Sequence, residues 1–156
     1  MKNVLIVEDD ENKRLQLVQF ITELLPQSDI QIAKSFHSGL QLIIDENHDL
    51  ILLDMTMPTY DIGQYEDGGR PQHYAGREIL RQMARRQILT PVLVITQFDV
   101  FGEGADAMTR DQLDKQLRIN YPQTYIGTVY YNAAMGGWKH ALQQKIRALI
   151  KGDTAK

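Results

Sequence analysis

Three short apolar runs in this chain stop abruptly on oxygen-bearing side chains. Val4-Leu5-Ile6-Val7 runs into Glu8-Asp9-Asp10, the run through Leu53 stops at Asp54, and Pro91-Val92-Leu93-Val94-Ile95 stops at Thr96. Carboxylates packed together repel one another, and a hard divalent cation such as Mg2+, which takes oxygen ligands and keeps several waters, relieves that repulsion. Glu8, Asp9 and Asp54 are therefore the candidate metal ligands. Beside such a cation a carboxylate can attack phosphorus, because the metal screens the charge of the incoming phosphoryl group. Asp54, alone at the end of its run, is the candidate nucleophile, and Thr96 is the candidate hydrogen-bond donor to a phosphoryl oxygen. Acids at strand ends also serve as solvated caps or accept from helix amino termini, and Asp10 and Asp45 are read that way. For Asp54 taken singly the two readings weigh about equally; it is the combination with Glu8, Asp9 and Thr96 that favours chemistry.

Those side chains can meet only if the runs are neighbouring strands. Val4 to Val7 is apolar throughout, as in a strand buried on both faces. Residues 11 to 25 place Leu15, Val18, Ile21, Leu24 and Leu25 at helical spacing before Pro26. Asp29 to Ala33 alternates as a strand, Phe36 to Asp45 is helical with Leu40, Ile43 and Ile44 on one face, and Asp49 to Leu53 is a third strand. Ile79, Leu80 and Met83 mark a third helix, Pro91 to Ile95 a fourth strand, a stretch near 109 to 119 a further helix, and Tyr125 to Tyr130 a fifth strand. Trp138, Leu142, Ile146 and Leu149 give an amphipathic closing helix. Alternating strands and helices with continuously apolar strands predict an α/β domain: a doubly wound, five-stranded parallel sheet with helices on both faces. In such a sheet ligands bind outside the carboxyl ends of the strands, where the strand order reverses. The stretches 55 to 75 and 97 to 108 read as loops on that same side.

The 156 residues suit one domain, expected over 1–151 with a short tail at 152–156. With 17 Lys+Arg against 20 Asp+Glu the formal net charge is -3, so no chain-wide basic field is available and direct DNA binding is not expected. There is no cysteine, which excludes disulfides, thiolate metal sites and a Cys nucleophile. Without a long apolar run or a signal-peptide core, the expected location is cytoplasmic, with no membrane association.

The segments VLIVEDD at 4 to 10, DLILLDMTMP at 49 to 58 and PVLVIT at 91 to 96 resemble the receiver domain of two-component response regulators, a fold of the flavodoxin-like type. The resemblance implies that Glu8 and Asp9 form the acid pair that binds Mg2+ and that Asp54 is the phosphoacceptor. It further implies that the backbone of Thr56 contacts the metal and that Thr96 is the switch hydroxyl. Pro58 matches the proline that follows the acceptor strand. It also implies a histidine kinase or phosphotransfer protein as donor and a downstream protein partner as output. The closing helix is an expected face for a partner or for a second copy in a homodimer, although a tryptophan such as Trp138 is more often core.

Two departures stand out. Receivers carry a lysine at the end of the fifth strand, usually followed by proline, that pairs with the phosphoryl group; here the strand reads YIGTVYYN, and the lysine slot falls near Tyr130. Tyrosine supplies no positive charge, so compensation must come from the metal or from a residue elsewhere. Receivers also place a glycine about four residues after that proline, whereas Pro58 and Gly76 lie 18 positions apart, with Gly63, Gly68, Gly69, Arg70 and His73 between them. Arg70 and Arg77 are formal candidates to replace the lysine, but solvated arginines are the more ordinary reading, as is a surface role for His73. Three functions compete: a phosphoacceptor receiver that stands alone and signals by protein contact; a pseudo-receiver that binds a partner without phosphorylation; and an aspartate-nucleophile phosphohydrolase of the haloacid dehalogenase type. The last is disfavoured because the acceptor lies on the third strand and the other acids precede it. The expectation is a non-enzymatic phosphoacceptor, with self-dephosphorylation its only catalysis.

Overall fold

The computed structural model describes residues 1–62 and 72–154. In chain order the elements are β1 (Asn3–Val7), α1 (Glu11–Leu24), β2 (Asp29–Ala33), α2 (Phe36–Asp45), β3 (Leu50–Leu53) and α3 (Ala75–Arg85). There follow β4 (Val92–Thr96), β5 (Val100–Phe101), β6 (Met108–Thr109), α4 (Arg110–Asn120), β7 (Tyr125–Tyr130) and α5 (Gly137–Thr154). β1, β2, β3, β4 and β7 form one parallel sheet in the order β2-β1-β3-β4-β7. The chain winds outward from β1 to β2, then crosses to β3 and continues the other way. The expected five-stranded doubly wound sheet is present, and its switch point lies between β1 and β3.

Period-two alternation sorts the strand side chains into two cores. Leu5 and Val7, Ile51 and Leu53, and Val92 and Val94 face α2, α3 and α4, meeting Ile43, Ile79, Leu80, Met83, Leu113 and Leu117. Val4 and Ile6, Leu50 and Leu52, and Leu93 and Ile95 face α1 and α5, meeting Leu17, Ile21, Trp138, Leu142 and Ile146. Burial on both faces is why these runs carry no polar alternation. Trp138 belongs to the core, packed edge-on to Phe20 at 5.6 Å and against Tyr131 at 5.1 Å, so it offers no face to a partner.

Four expectations change. The inward row of α1 is Lys13, Leu17 and Ile21, while Leu15 is 59% exposed. A row that begins with an amine is invisible to a count of apolar residues, which places Leu15 inside instead. Second, 97 to 108 is more than a loop. β5 and β6 pair as an antiparallel ribbon, Val100 opposite Thr109 and Phe101 opposite Met108, and Phe101 is buried in the core beneath. Third, Asp45 is no amino-terminal cap: it ends α2 and accepts from Gln41 Nε2 at 2.6 Å. Fourth, α5 continues to Thr154, into the segment expected as a tail.

Candidate functional site

β1 and β3 are paired in register, Val7 opposite Leu53, so the next residues on each, Glu8 and Asp54, leave the sheet side by side at the switch point. Both continue the side-chain parity of Val4-Ile6 and Leu50-Leu52 and are directed to the α1 face. Glu8 is 2% and Asp54 5% exposed, while Asp9, one step out of that parity, is open to solvent. One oxygen from each of the three carboxylates lies within 4.8 Å of the others. Asp54 Oδ1 accepts the Met55 N–H at 2.8 Å and Glu8 Oε2 accepts the Asp10 N–H at 3.1 Å, so the backbone helps hold both carboxyls.

A fourth group completes the cluster, and the sequence reasoning missed it. Lys13 lies on the first turn of α1, where the Asp10 carboxylate caps the helix by accepting the Lys13 N–H at 2.8 Å. Its side chain is 1% exposed, and its ammonium stands 2.5 Å from Glu8 Oε1 and 3.2 Å from Asp54 Oδ1. It also donates to the Ile95 carbonyl at 2.7 Å, one residue before Thr96. One amine thus ties together the ends of β1, β3 and β4. The signal in the sequence is the i, i+4, i+8 row Lys13-Leu17-Ile21: a lysine at a core position of the helix that follows the acid pair.

Burial dominates the electrostatics. Desolvation, reinforced by the charge of Asp54 and opposed by Lys13, pushes Glu8 up to about 8 from 4.5. Desolvation likewise raises Asp54, against the pull of Lys13. Burial alone would lower the Lys13 ammonium, but Asp54 and Glu8 together outweigh it and hold it protonated. One buried cation therefore leaves the three carboxylates undercompensated, which is the condition a divalent ion relieves. The donor set fits Mg2+: hard carboxylate oxygens grouped closely, with Asp9 open to water.

Thr96 is fully buried at the end of β4 and its hydroxyl accepts the Phe98 N–H at 3.1 Å. Thr56 follows β3, its hydroxyl donating to the His73 carbonyl at 3.2 Å. Tyr130 sits opposite Thr96 on β7 with the Arg110 guanidinium over its ring at 4.3 Å. Arg77 is committed elsewhere, donating to Gln116 Oε1 at 2.9 Å and stacked on Tyr74 at 4.0 Å. His73 is exposed, as a surface residue should be. Gly63, Gly68, Gly69 and Arg70 lie outside the described residues. Despite its distance from Pro58 in sequence, Gly76 brings α3 directly onto the acceptor strand: its N–H donates to the Met55 carbonyl at 3.0 Å. Tyr74 pins the ribbon alongside, its hydroxyl against the carbonyls of Phe101 and Asp106 at 3.0 and 2.8 Å.

An open sheet of this order, with acids gathered at its switch point, defines a doubly wound α/β domain whose carboxyl edge is built to handle charge. The family model of the response regulator receiver domain matches residues 4–121, and the chain belongs to that family. It is 33% identical over 148 residues to the Detocs response regulatory protein DtcB of Enterobacter cloacae (strain JD6301), covering 94% of this chain and 99% of that protein. It is 34% identical over 141 residues to the uncharacterized protein y4jR of Sinorhizobium fredii (strain NBRC 101917 / NGR234), covering 89% and 93%. Among solved structures, the signal receiver domain of a DNA binding response regulator from Colwellia psychrerythraea 34H superposes with a TM-score of 0.63 at 20% identity, covering 97% of this chain and 99% of that one. The CheY-like receiver domain protein from Methanospirillum hungatei JF-1 gives 0.62 at 17% identity over 100% and 99%. These structures share the fold. The family is one of signalling domains rather than classical enzymes, and its members work through kinases or phosphotransfer partners. Among the described residues no helix is long and apolar enough to cross a membrane.

Proposed function

We propose that this receiver accepts a phosphoryl group on Asp54 in the cytoplasm, from a histidine kinase or phosphotransfer protein, and passes the signal on by contact with another protein. The observation that carries this reading is the placement of a buried Asp54 beside Glu8, Asp9 and a buried ammonium at the switch point of the sheet. The match to the Detocs response regulatory protein, along nearly all of its length, supports a regulatory role.

Glu8, Asp9, Asp54 and the backbone carbonyl of Thr56 would hold Mg2+. When bound, the ion would supply positive charge where the phosphoryl oxygens gather. The chain's own residues do the rest. An Asp54 carboxylate oxygen attacks phosphorus, the new O–P bond forms as the bond from phosphorus to the donor breaks, and the donor departs with the electron pair. No proton or redox partner is needed. The Met55 N–H and Lys13 fix the Asp54 carboxyl before attack, and the Thr96 hydroxyl, which accepts from Phe98 at the end of the neighbouring strand, is assigned the hydrogen bond to the new oxygens. Loss of the phosphoryl group is attack by water on the same phosphorus, which restores the carboxylate and releases inorganic phosphate.

Incubation with acetyl phosphate and Mg2+, followed by intact mass, should add one phosphoryl group to the wild type and none to Asp54→Asn. An unlabelled wild type that nonetheless binds Mg2+ overturns the reading. The alternative, a pseudo-receiver that phosphorylation does not switch, is favoured by the missing strand-end lysine and by the enlarged loops; the buried Lys13 ammonium 3.2 Å from Asp54 weakens the first of these two grounds.

A further inference from the structure

We infer that Lys13 has taken over, from the first turn of α1, the task that receivers give to a lysine at the end of the fifth core strand: it neutralises the acceptor carboxylate before transfer and binds the phosphoryl group on Asp54 afterwards. The inference rests on the phosphoacceptor reading above. From Tyr125 to Asn132 the chain has no basic residue, so the strand itself cannot do this. Lys13 reaches the same place from the opposite direction. Its ammonium donates to the Ile95 carbonyl at 2.7 Å and pairs with Glu8 Oε1 at 2.5 Å and Asp54 Oδ1 at 3.2 Å, which leaves it little freedom to choose another position. The ring of Tyr131, the residue after β7, has its centroid 5.9 Å from that ammonium and fills with carbon the space beside it.

Burial argues that the amine is there for charge. Lysine is among the residues least often fully buried, and a buried ion pair is a poor way to gain stability compared with an apolar side chain of the same size. A methionine at position 13 would continue the apolar row of Leu17 and Ile21. What methionine could not do is hold a positive charge 3.2 Å from the acceptor oxygen. The longest of the three contacts is the one to Asp54, so this is the donor most readily redirected to a phosphoryl oxygen while Glu8 and Ile95 keep the amine in place.

The test uses the intact chain and the variants Lys13→Met and Lys13→Arg, with three readouts. Calorimetric titration with Mg2+ should show Lys13→Met binding the ion about tenfold or more tightly, because a positive charge a few ångströms from the ligands has been removed. Labelling by acetyl phosphate at saturating Mg2+ should nevertheless be about tenfold or more slower in Lys13→Met, with Lys13→Arg between it and the wild type. Tighter metal with slower transfer is a combination that a merely structural lysine would not produce. The third readout needs no variant: on adding Mg2+ and beryllofluoride to the wild type, the Lys13 side-chain NMR resonances should move. A wild type that takes no phosphoryl group overturns the phosphoacceptor reading and this inference with it. A wild type that is labelled, alongside a folded Lys13→Met labelled equally fast, overturns the inference alone. So do Lys13 resonances unmoved by beryllofluoride in a chain that acetyl phosphate labels.

Discussion

A methyl group added at Gly76 should damage the acceptor strand, and the structure gives the size of the effect. A Cβ built there would stand 2.7 Å from the Asp54 carbonyl oxygen and 3.0 Å from Met55 Cα, where ordinary contact begins at 3.4 Å. Both neighbours are backbone, so relief requires α3 and the end of β3 to separate by several tenths of an ångström. Overpacking of that kind costs about 1–3 kcal/mol, and the better helix propensity of alanine returns at most about 1 kcal/mol. A net loss of up to about 2 kcal/mol, with a denaturant slope of about 2 kcal/mol/M, lowers the urea midpoint of Gly76→Ala by up to roughly 1 M. Gly152→Ala is the internal control: it lies in α5 with nothing within 4 Å of the new methyl, so the same substitution should leave the midpoint unchanged or raise it. Because the Asp54 backbone is what moves, acetyl phosphate labelling of Gly76→Ala should also slow severalfold, measured well below the midpoint. A Gly76→Ala midpoint at or above that of the wild type would refute the reasoning.

The acid cluster makes a pH prediction for the metal-free chain. Glu8 is raised in the folded state to about 8 from 4.5, so the folded form binds its proton more tightly than the unfolded form does. That contribution to stability is present in full below about pH 4.5 and is lost as pH rises toward 8; Asp54, also raised, acts in the same direction. The lowered His48 opposes them within this window, so the comparison is with Glu8→Gln. In EDTA the urea midpoint should fall between about pH 5 and pH 8 by more in the wild type than in Glu8→Gln, and equal slopes would be against the account. Tyr74→Phe removes the hydroxyl shared by the Phe101 and Asp106 carbonyls and should cost about 0.5–1.5 kcal/mol, with faster amide exchange confined to the β5–β6 ribbon. Unchanged exchange there would mean that the ribbon is held by Phe101 alone.

The acid cluster was largely legible because its parts are strand ends. A strand buried on both faces is a plain apolar run, and the first oxygen-bearing residue after it marks the carboxyl edge, so Glu8, Asp54 and Thr96 could be picked out one by one. Asp10 was legible for a similar reason, as a cap immediately before a helix. The ribbon was not: β5 and β6 are two residues each, too short for any periodicity, and Phe101 is buried only because the ribbon folds back onto α3 and α4. Gly76 stood out in the sequence only as a departure, 18 positions from Pro58, because an insertion changes sequence distance while the contact with the Met55 carbonyl is kept.

From the sequence alone came the alternation of strands and helices, the α/β class and the acids at the strand ends, because each is a local pattern carried by neighbouring residues. The tertiary structure decided which face of α1 turns inward, and with it the place of Lys13. With about 3.6 residues per turn, only about one helix position in four faces a given line on the sheet, and the approach of the Lys13 ammonium to Asp54, 41 residues away, is a contact that local spacing does not display. β7 carries no positive charge; the ammonium that stands 3.2 Å from Asp54 belongs to α1, which only folding brings over that residue.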